Sequence, residues 1–166
     1  MLVSAGELRD ELRHGSSPFL TARRVIAGLS VFSGVILGGI GLFQMGIYKK
    51  IPEPKWKGFD ANKVNASLEA YSMFGTPDAL LGMASYAATA CLAGMGGKNR
   101  WKHAPWIPIA MAGKTFADTA LAAKLTVDQW TKYRAFCIWC LMTAAATFAT
   151  APLSLPEAKA AWKRLK

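Results

Sequence analysis

The sequence predicts an all-α membrane protein, namely a four-transmembrane-helix bundle with a short surface helix in its first external loop. Hydrophobic residues make up 52% of the 166 residues, and the mean hydropathy is positive. The apolar residues are gathered into four runs, each close to the roughly 20 residues with which a helix crosses a hydrocarbon layer of about 30 Å. By length alone the chain, residues 1–166, forms one domain.

The first two predicted spans cover residues 25–48 and 77–95. In the first, Gly34 and Gly38 form a G-x-x-x-G pair, a pattern that allows two membrane helices to approach closely. In the second, small residues such as Gly82 predict tight packing against a neighbouring helix. The first run is too long for the apolar part of a signal peptide, so we do not expect it to be cleaved.

The third and fourth predicted spans cover residues 106–125 and 135–151. The third is the least apolar of the four. Pro152 and Pro156 are expected to end the fourth, because proline lacks the N–H that continues a helix. The alternative is a soluble helical bundle, whose helices need a polar face; the first and fourth runs have none.

The predicted external loop, residues 49–76, is the longest connection. Within it, residues 61–71 are expected to form a short helix with Val64, Leu68 and Tyr71 roughly on one face. Such a helix is suited to lying along the membrane surface, where it would cap the bundle.

Lysine and arginine residues give a modest prediction of orientation. With four spans, 11 of the 20 lie on the side of the chain termini and 8 on the other side. Because cytoplasmic segments carry the excess of positive charge, the termini are expected in the cytoplasm, as in a bacterial inner membrane. The same residues flank apolar segments, which favours membrane lipid headgroups as partners and argues against nucleic acid.

Cys137 and Cys140 form a Cys-x-x-Cys motif at the start of the fourth span, where the helix dipole and nearby Lys132 and Arg134 favour a thiolate. We expect the pair to cycle between dithiol and disulfide, with Cys137 facing outside thiols and Cys140 facing a ligand among the helices. The alternative is that both are small apolar packing residues. Cys91 lies about 20 Å along the second span from its start and is predicted to pack.

Metal and haem sites are not expected. A zinc site would need two ligands besides the cysteines, and His14 and His103 fall on the opposite side in this topology. The same placement leaves the bundle interior without a pair of histidines to hold haem.

Three acidic or basic residues within the spans are candidates for function. Asp78 is explained by the dipole at the start of the second span, or else it donates a hydrogen bond to a ligand carbonyl when protonated. Lys114 and Asp118 are four residues apart on the third span and are expected to neutralise each other. A role in proton delivery stays open, since charges inside a membrane usually face the bundle interior.

Two motifs resemble the vitamin K epoxide reductase family, in its bacterial type. Phe74-Gly75-Thr76-Pro77-Asp78-Ala79-Leu80-Leu81-Gly82 resembles the start of that family's second helix. Phe136-Cys137-Ile138-Trp139-Cys140-Leu141 resembles its active-site motif at the start of the last helix. The resemblance extends over about residues 20 to 152.

The resemblance implies a thiol–quinone oxidoreductase: a four-helix bundle around a quinone of the ubiquinone or menaquinone type. Cys140 would lie next to the quinone, with Cys137 as the partner that receives electrons. Asp78 falls where the family has a ligand-contacting Asn, and we take Asp78 and Trp139 as the expected quinone contacts.

The chain departs from the family in its loop. Members usually carry two loop cysteines that relay electrons, whereas residues 49–75 contain none. Either an external thiol–disulfide partner protein reaches Cys137 directly, or the activity has changed. The remaining alternative is a non-catalytic four-helix membrane assembly or subunit protein.

Overall fold

The computed structural model describes residues 4–166, which form an all-helical protein. Its elements are α1 (Ala5–His14), α2 (Pro18–Gln44), α3 (Ala61–Asn65), a 3-10 turn (Leu68–Tyr71), α4 (Asp78–Gly94), α5 (Arg100–His103), α6 (Trp106–Asp128), a π-helical turn (Gln129–Tyr133) and α7 (Ile138–Leu165).

The four long helices form a bundle. Helix α2 packs along α4 and α7, and α6 packs along α7, whereas α4 and α6 contact each other much less. The end of the bundle that carries α3 and the starts of α4 and α7 is called the cysteine end below. The opposite end, with α1, α5 and the last turns of α7, is called the terminal end.

The bundle interior is lined by small and hydroxyl-bearing side chains, while large apolar side chains point outward. Buried hydroxyls include Ser30 on α2 and Thr115 on α6, and Ser30 Oγ donates to the Ile26 carbonyl at 2.8 Å. On α2, Val31 is 59% and Val35 is 72% exposed. Membrane helices pack in this way, because close contacts between small residues replace the hydrophobic driving force.

Two glycines allow α2 and α4 to touch. A Cβ atom on Gly41 would lie 2.6 Å from Leu80 Cδ2, and one on Gly82 would lie 2.6 Å from Leu37 Cδ1. The close packing predicted at Gly82 is therefore confirmed. The G-x-x-x-G prediction holds for one residue of the pair: an added Cβ on Gly38 would lie 3.5 Å from Met83 Sδ on α4, whereas one on Gly34 would meet no atom within 4 Å.

Helices α2 and α7 are each long and apolar enough to cross a membrane. The start of α2 lies seven residues before the predicted position, because Ser17 caps it by accepting a bond from the Leu20 N–H at 3.1 Å and Pro18 suits a first helical position. Its end is at Gln44, before a turn.

The prediction that Pro152 and Pro156 end the last helix is wrong. Helix α7 runs through both prolines to Leu165. The residues that follow Pro156 are mostly alanine, glutamate and lysine, which are strong helix formers. Glu157 and Ala161 are also buried there, so tertiary packing holds the continuation in place.

The predicted surface helix is present but divided. Helix α3 ends at Asn65, and a 3-10 turn covers Leu68–Tyr71. The segment before α3 pairs with the segment before α7: Phe136 N–H donates to the Gly58 carbonyl at 2.8 Å, and Asp60 N–H donates to the Phe136 carbonyl at 2.9 Å. These bonds fix α3 over the start of α7.

Candidate active site

Cys137 and Cys140 meet at the start of α7. Cys137 caps the helix in an extended conformation, and its Sγ accepts a hydrogen bond from the Cys140 N–H at 3.2 Å. Both are free thiols, and their Sγ atoms lie 2.6 Å apart. The pair is therefore placed to interconvert between dithiol and disulfide.

The approach to Cys137 is fixed by the preceding turn. Arg134 takes a left-handed conformation with φ 51°, which ends the π-helical turn and reverses the chain. Gln129 then binds the chain that follows: its side-chain carbonyl accepts from the Cys137 N–H at 2.8 Å. Of the flanking cations, Lys132 is paired with Asp128, with Nζ and Oδ2 3.3 Å apart.

Asn65, at the end of α3, contacts both sulfurs. Its amide nitrogen donates to Cys137 Sγ at 3.3 Å, and its amide oxygen accepts from Cys140 Sγ at 3.5 Å. Asn65 is 6% exposed, so water does not compete for these bonds. Sequence reasoning missed this residue, although its position three residues after Asn62 in a predicted amphipathic helix was a usable signal.

Asp78 lies close to this cluster and is held by Gln44. Asp78 Oδ1 accepts from the Gln44 amide nitrogen at 2.7 Å, and the same nitrogen donates to the Asn65 carbonyl at 3.2 Å. The Gln44 amide oxygen accepts from the Ala79 N–H at 3.3 Å. Gln44 was noted only as an interruption of the first apolar run, yet it joins α2, α3 and α4.

A cavity of about 540 Å³ opens beside the cysteines, between α4, α6 and α7. This is the size of a small-molecule site. Cys140, Asp78, Ser85 and Asp118 line it, while Cys137 does not. Cys137 is completely buried beneath α3, so the two sulfurs have different surroundings although they touch.

Trp139 does not line this cavity. Its indole N–H donates to the Pro52 carbonyl at 2.7 Å, so the side chain holds the loop rather than facing the space between the helices. Trp139 and Cys140 are adjacent in the first turn of α7, and one step along the helix turns their side chains about 100° apart.

The Lys114–Asp118 ion pair forms as predicted, with Nζ and Oδ2 2.6 Å apart. Cys91, in contrast, is exposed on α4, so the prediction that it packs inside the bundle is wrong. Across residues 4–166, no group of three or more His, Cys, Asp or Glu side chains is placed to hold a metal ion.

A family model described as the vitamin K epoxide reductase family matches residues 25–155, which is most of the chain. The chain belongs to the vitamin K epoxide reductase family. This is a family of membrane redox enzymes associated with quinones and thiols. No curated protein and no solved structure matches the chain. The matched region includes all of α4 and α6, most of α2 and α7, and both cysteines of the motif.

Proposed function

We propose that this protein is a membrane thiol–quinone oxidoreductase that passes electrons from a dithiol to a quinone through Cys137 and Cys140. The observation that carries the proposal is that the two sulfur atoms, although in contact, have different surroundings. Cys140 lines the cavity and Cys137 lies under the loop, so the pair joins a ligand space to a thiol entry point. A quinone of the ubiquinone or menaquinone type is the co-substrate.

The reaction has two halves. A substrate thiolate attacks the Cys137–Cys140 disulfide at Cys137, forming a mixed disulfide and freeing the Cys140 thiolate. The second substrate thiol then displaces Cys137, which leaves the substrate oxidised and the pair reduced. In the second half the disulfide re-forms, and the quinone takes up two electrons and two protons to become a quinol.

The sulfur surroundings support this division of roles. Two N–H donors, from Asn65 and from the Cys140 backbone, point at Cys137 Sγ and stabilise negative charge on it as a leaving group. Asp78 faces the cavity beside Cys140, and in its protonated form it donates a hydrogen bond to a quinone carbonyl. We assign Trp139 to holding the loop, in place of quinone contact.

We further propose that the single domain spans the membrane four times, through α2, α4, α6 and α7. The cysteine end would face the outside of a bacterial inner membrane, with the termini in the cytoplasm. The excess of lysine and arginine on the terminal side supports this orientation. In this orientation Cys137 and Cys140 would lie outside the cytoplasm, where disulfides persist.

Electrons would enter from an external thiol–disulfide partner protein. The loop has no cysteines to relay them, so the partner must reach Cys137 itself. Because Cys137 is completely buried, α3 has to move away from the start of α7 during this step. The bonds that hold α3 are hydrogen bonds between loop segments, which open at modest cost.

The test is quinone reduction by purified protein supplied with dithiothreitol and either a ubiquinone or a menaquinone analogue. The natural sequence should turn over, and Cys140→Ala should reduce the rate to background. Cys91→Ala is the matched control and should keep near-normal activity, because Cys91 lies about 20 Å along α4 from Asp78. A natural sequence that reduces no quinone would leave the non-catalytic membrane protein as the interpretation.

The same variant tests the partner. With Cys140 replaced, the Cys137 thiolate attacks the disulfide of the oxidised partner and releases one partner thiol; because Cys140 is absent and cannot resolve it, this mixed disulfide through Cys137 should persist on non-reducing gels of cells. It should disappear when Cys137 is replaced as well. If no Cys137-dependent adduct forms while the purified protein still oxidises small dithiols, electrons come from small-molecule thiols instead.

A further inference from the structure

We propose that Lys114, Asp118 and Ser85 form a proton-delivery group for the quinone oxygen that points away from Cys140. The inference rests on the proposed function and adds residues to it. It starts from a charged pair that lies beside the cavity.

The three side chains form a closed triangle between α4 and α6. Lys114 Nζ lies 2.6 Å from Asp118 Oδ2 and donates to Ser85 Oγ at 2.8 Å. Ser85 Oγ donates to Asp118 Oδ1 at 3.1 Å. Ser85 and Asp118 line the cavity, with Lys114 directly behind them. A proton on Lys114 is therefore one hydroxyl away from the cavity space.

The surroundings of this pair differ from those of a structural ion pair. The Arg100–Glu157 pair at the terminal end is 1% and 3% exposed, and Arg100 also binds backbone carbonyls. The Lys114 and Asp118 side chains are 22% and 21% exposed, and their one further partner among the described residues is Ser85. Charges inside a membrane are costly and mark functional sites by default.

The triangle lies at the far end of the cavity from the thiols. Ser85 comes seven residues after Asp78, which places it about 10 Å deeper along α4. A quinone ring beside Cys140 and Asp78 therefore directs its second carbonyl toward Ser85 and Asp118. The neighbouring Tyr86 hydroxyl is already bonded to the Thr147 hydroxyl on α7.

With this group, the protons released by the thiols and the protons taken up by the quinone balance. As the Cys137–Cys140 disulfide forms, two electrons pass to the ring and two thiol protons are released. One thiol proton goes to the near oxygen, and the other goes to water. The far oxygen takes a proton from the Ser85 hydroxyl, which Lys114 replaces, and Lys114 regains a proton from water. The products are one disulfide and one quinol.

The test compares Lys114→Arg and Ser85→Ala with the natural sequence. Arginine keeps the positive charge and the ion pair, but its guanidinium does not give up a proton. Both variants should lower kcat about 10²-fold, the size of a general-acid contribution, with little change in KM. The solvent deuterium isotope effect on kcat should rise. Reduction of the Cys137–Cys140 disulfide by dithiothreitol, measured without quinone, should be unchanged.

Two further variants separate catalysis from folding. Ser154→Ala removes a buried hydroxyl that lies 3.0 Å from the Thr115 hydroxyl and does not line the cavity. This variant should leave kcat unchanged. The double variant Lys114→Met with Asp118→Leu removes both charges together, so that neither is left without its partner between the helices. It should fold and show the same loss of kcat.

The inference would be overturned if Lys114→Arg and Ser85→Ala kept the kcat and the isotope effect of the natural sequence. It would also be overturned if the double variant kept a normal kcat. Either result would leave the proposed function standing. A natural sequence that reduces no quinone would overturn both. Quinone reduction by the natural protein therefore distinguishes failure of the inference from failure of the proposed function.

Discussion

The terminal end and the cysteine end both bury polar groups, but they bind them in opposite ways. At the terminal end, Arg23 donates to the carbonyls of Ala93, Met95, Gly96 and Gly97. Arg100 donates to Glu157 through two nitrogens and also to the Leu92 carbonyl. These carbonyls lie at the end of α4, where the helix dipole favours positive charge.

At the cysteine end the polar groups are buried neutral amides, the half-buried Asp78 carboxyl, the buried Cys137 thiol and the half-buried Cys140 thiol, and a cavity lies against them. Sulfur is a weak hydrogen-bonding atom, so Asn65 orients the thiols without holding them firmly. The cluster at the terminal end therefore ties helices together through charged hydrogen bonds, whereas the cluster at the cysteine end holds two thiols through weaker bonds, one of them beside a cavity.

The largest effect expected is on stability, from Arg100→Met. This change leaves the Glu157 carboxylate buried without its partner and should cost about 3–5 kcal/mol of unfolding free energy. Unfolding in a denaturing detergent titration measures it, with Arg100→Met/Glu157→Leu as the control that should recover most of the loss. Quinone turnover per folded molecule should be unchanged. An Arg100→Met variant that stayed stable but turned over quinone more slowly would contradict the assignment of a structural role to the terminal end.

A smaller effect, on chemistry, is expected from Asn65→Ala. It removes the donor to Cys137 Sγ, and a hydrogen bond to a charged group contributes about 1.5–3 kcal/mol, so thiol exchange at Cys137 should slow about 10-fold or more. Stopped-flow reduction of the disulfide measures this rate. Asn62→Ala is the matched control, because Asn62 binds the Ile51 N–H at 2.9 Å and contacts neither sulfur. Equal rates in the two variants would remove Asn65 from the redox site.

The smallest effect expected is on access. In intact cells, an impermeant maleimide should label the reduced protein, and Trp139→Phe should speed labelling about 2- to 10-fold by removing the indole bond to the Pro52 carbonyl. Replacing both Cys137 and Cys140 should abolish labelling, which excludes Cys91. Labelling that needs cell lysis would overturn the proposed orientation.

The sequence was informative wherever local pattern decides structure. Apolar runs predicted the four long helices, and the four-residue spacing of Lys114 and Asp118 predicted their ion pair. Long-range contacts decided the rest. The continuation of α7 past Pro156 depends on burial of Glu157 against Arg100, and Asn65 became a sulfur ligand only because the loop folds back. Neither contact is encoded in the residues adjacent to it.

The length of helix α7 sets the distance between the cysteines and the basic residues near its other end. It spans Ile138–Leu165, about 42 Å at 1.5 Å per residue, which exceeds a hydrocarbon layer of about 30 Å. Cys140 and Lys159 are separated by about 28 Å along it. In the membrane placement proposed above, Lys159 would lie among the headgroups of one leaflet and Cys140 would lie at the boundary of the other. The proposed reaction needs that depth, because a lipid-soluble oxidant and a water-soluble reductant would have to reach the same pair of sulfurs, and the continuation of α7 through Pro152 and Pro156 sets the distance.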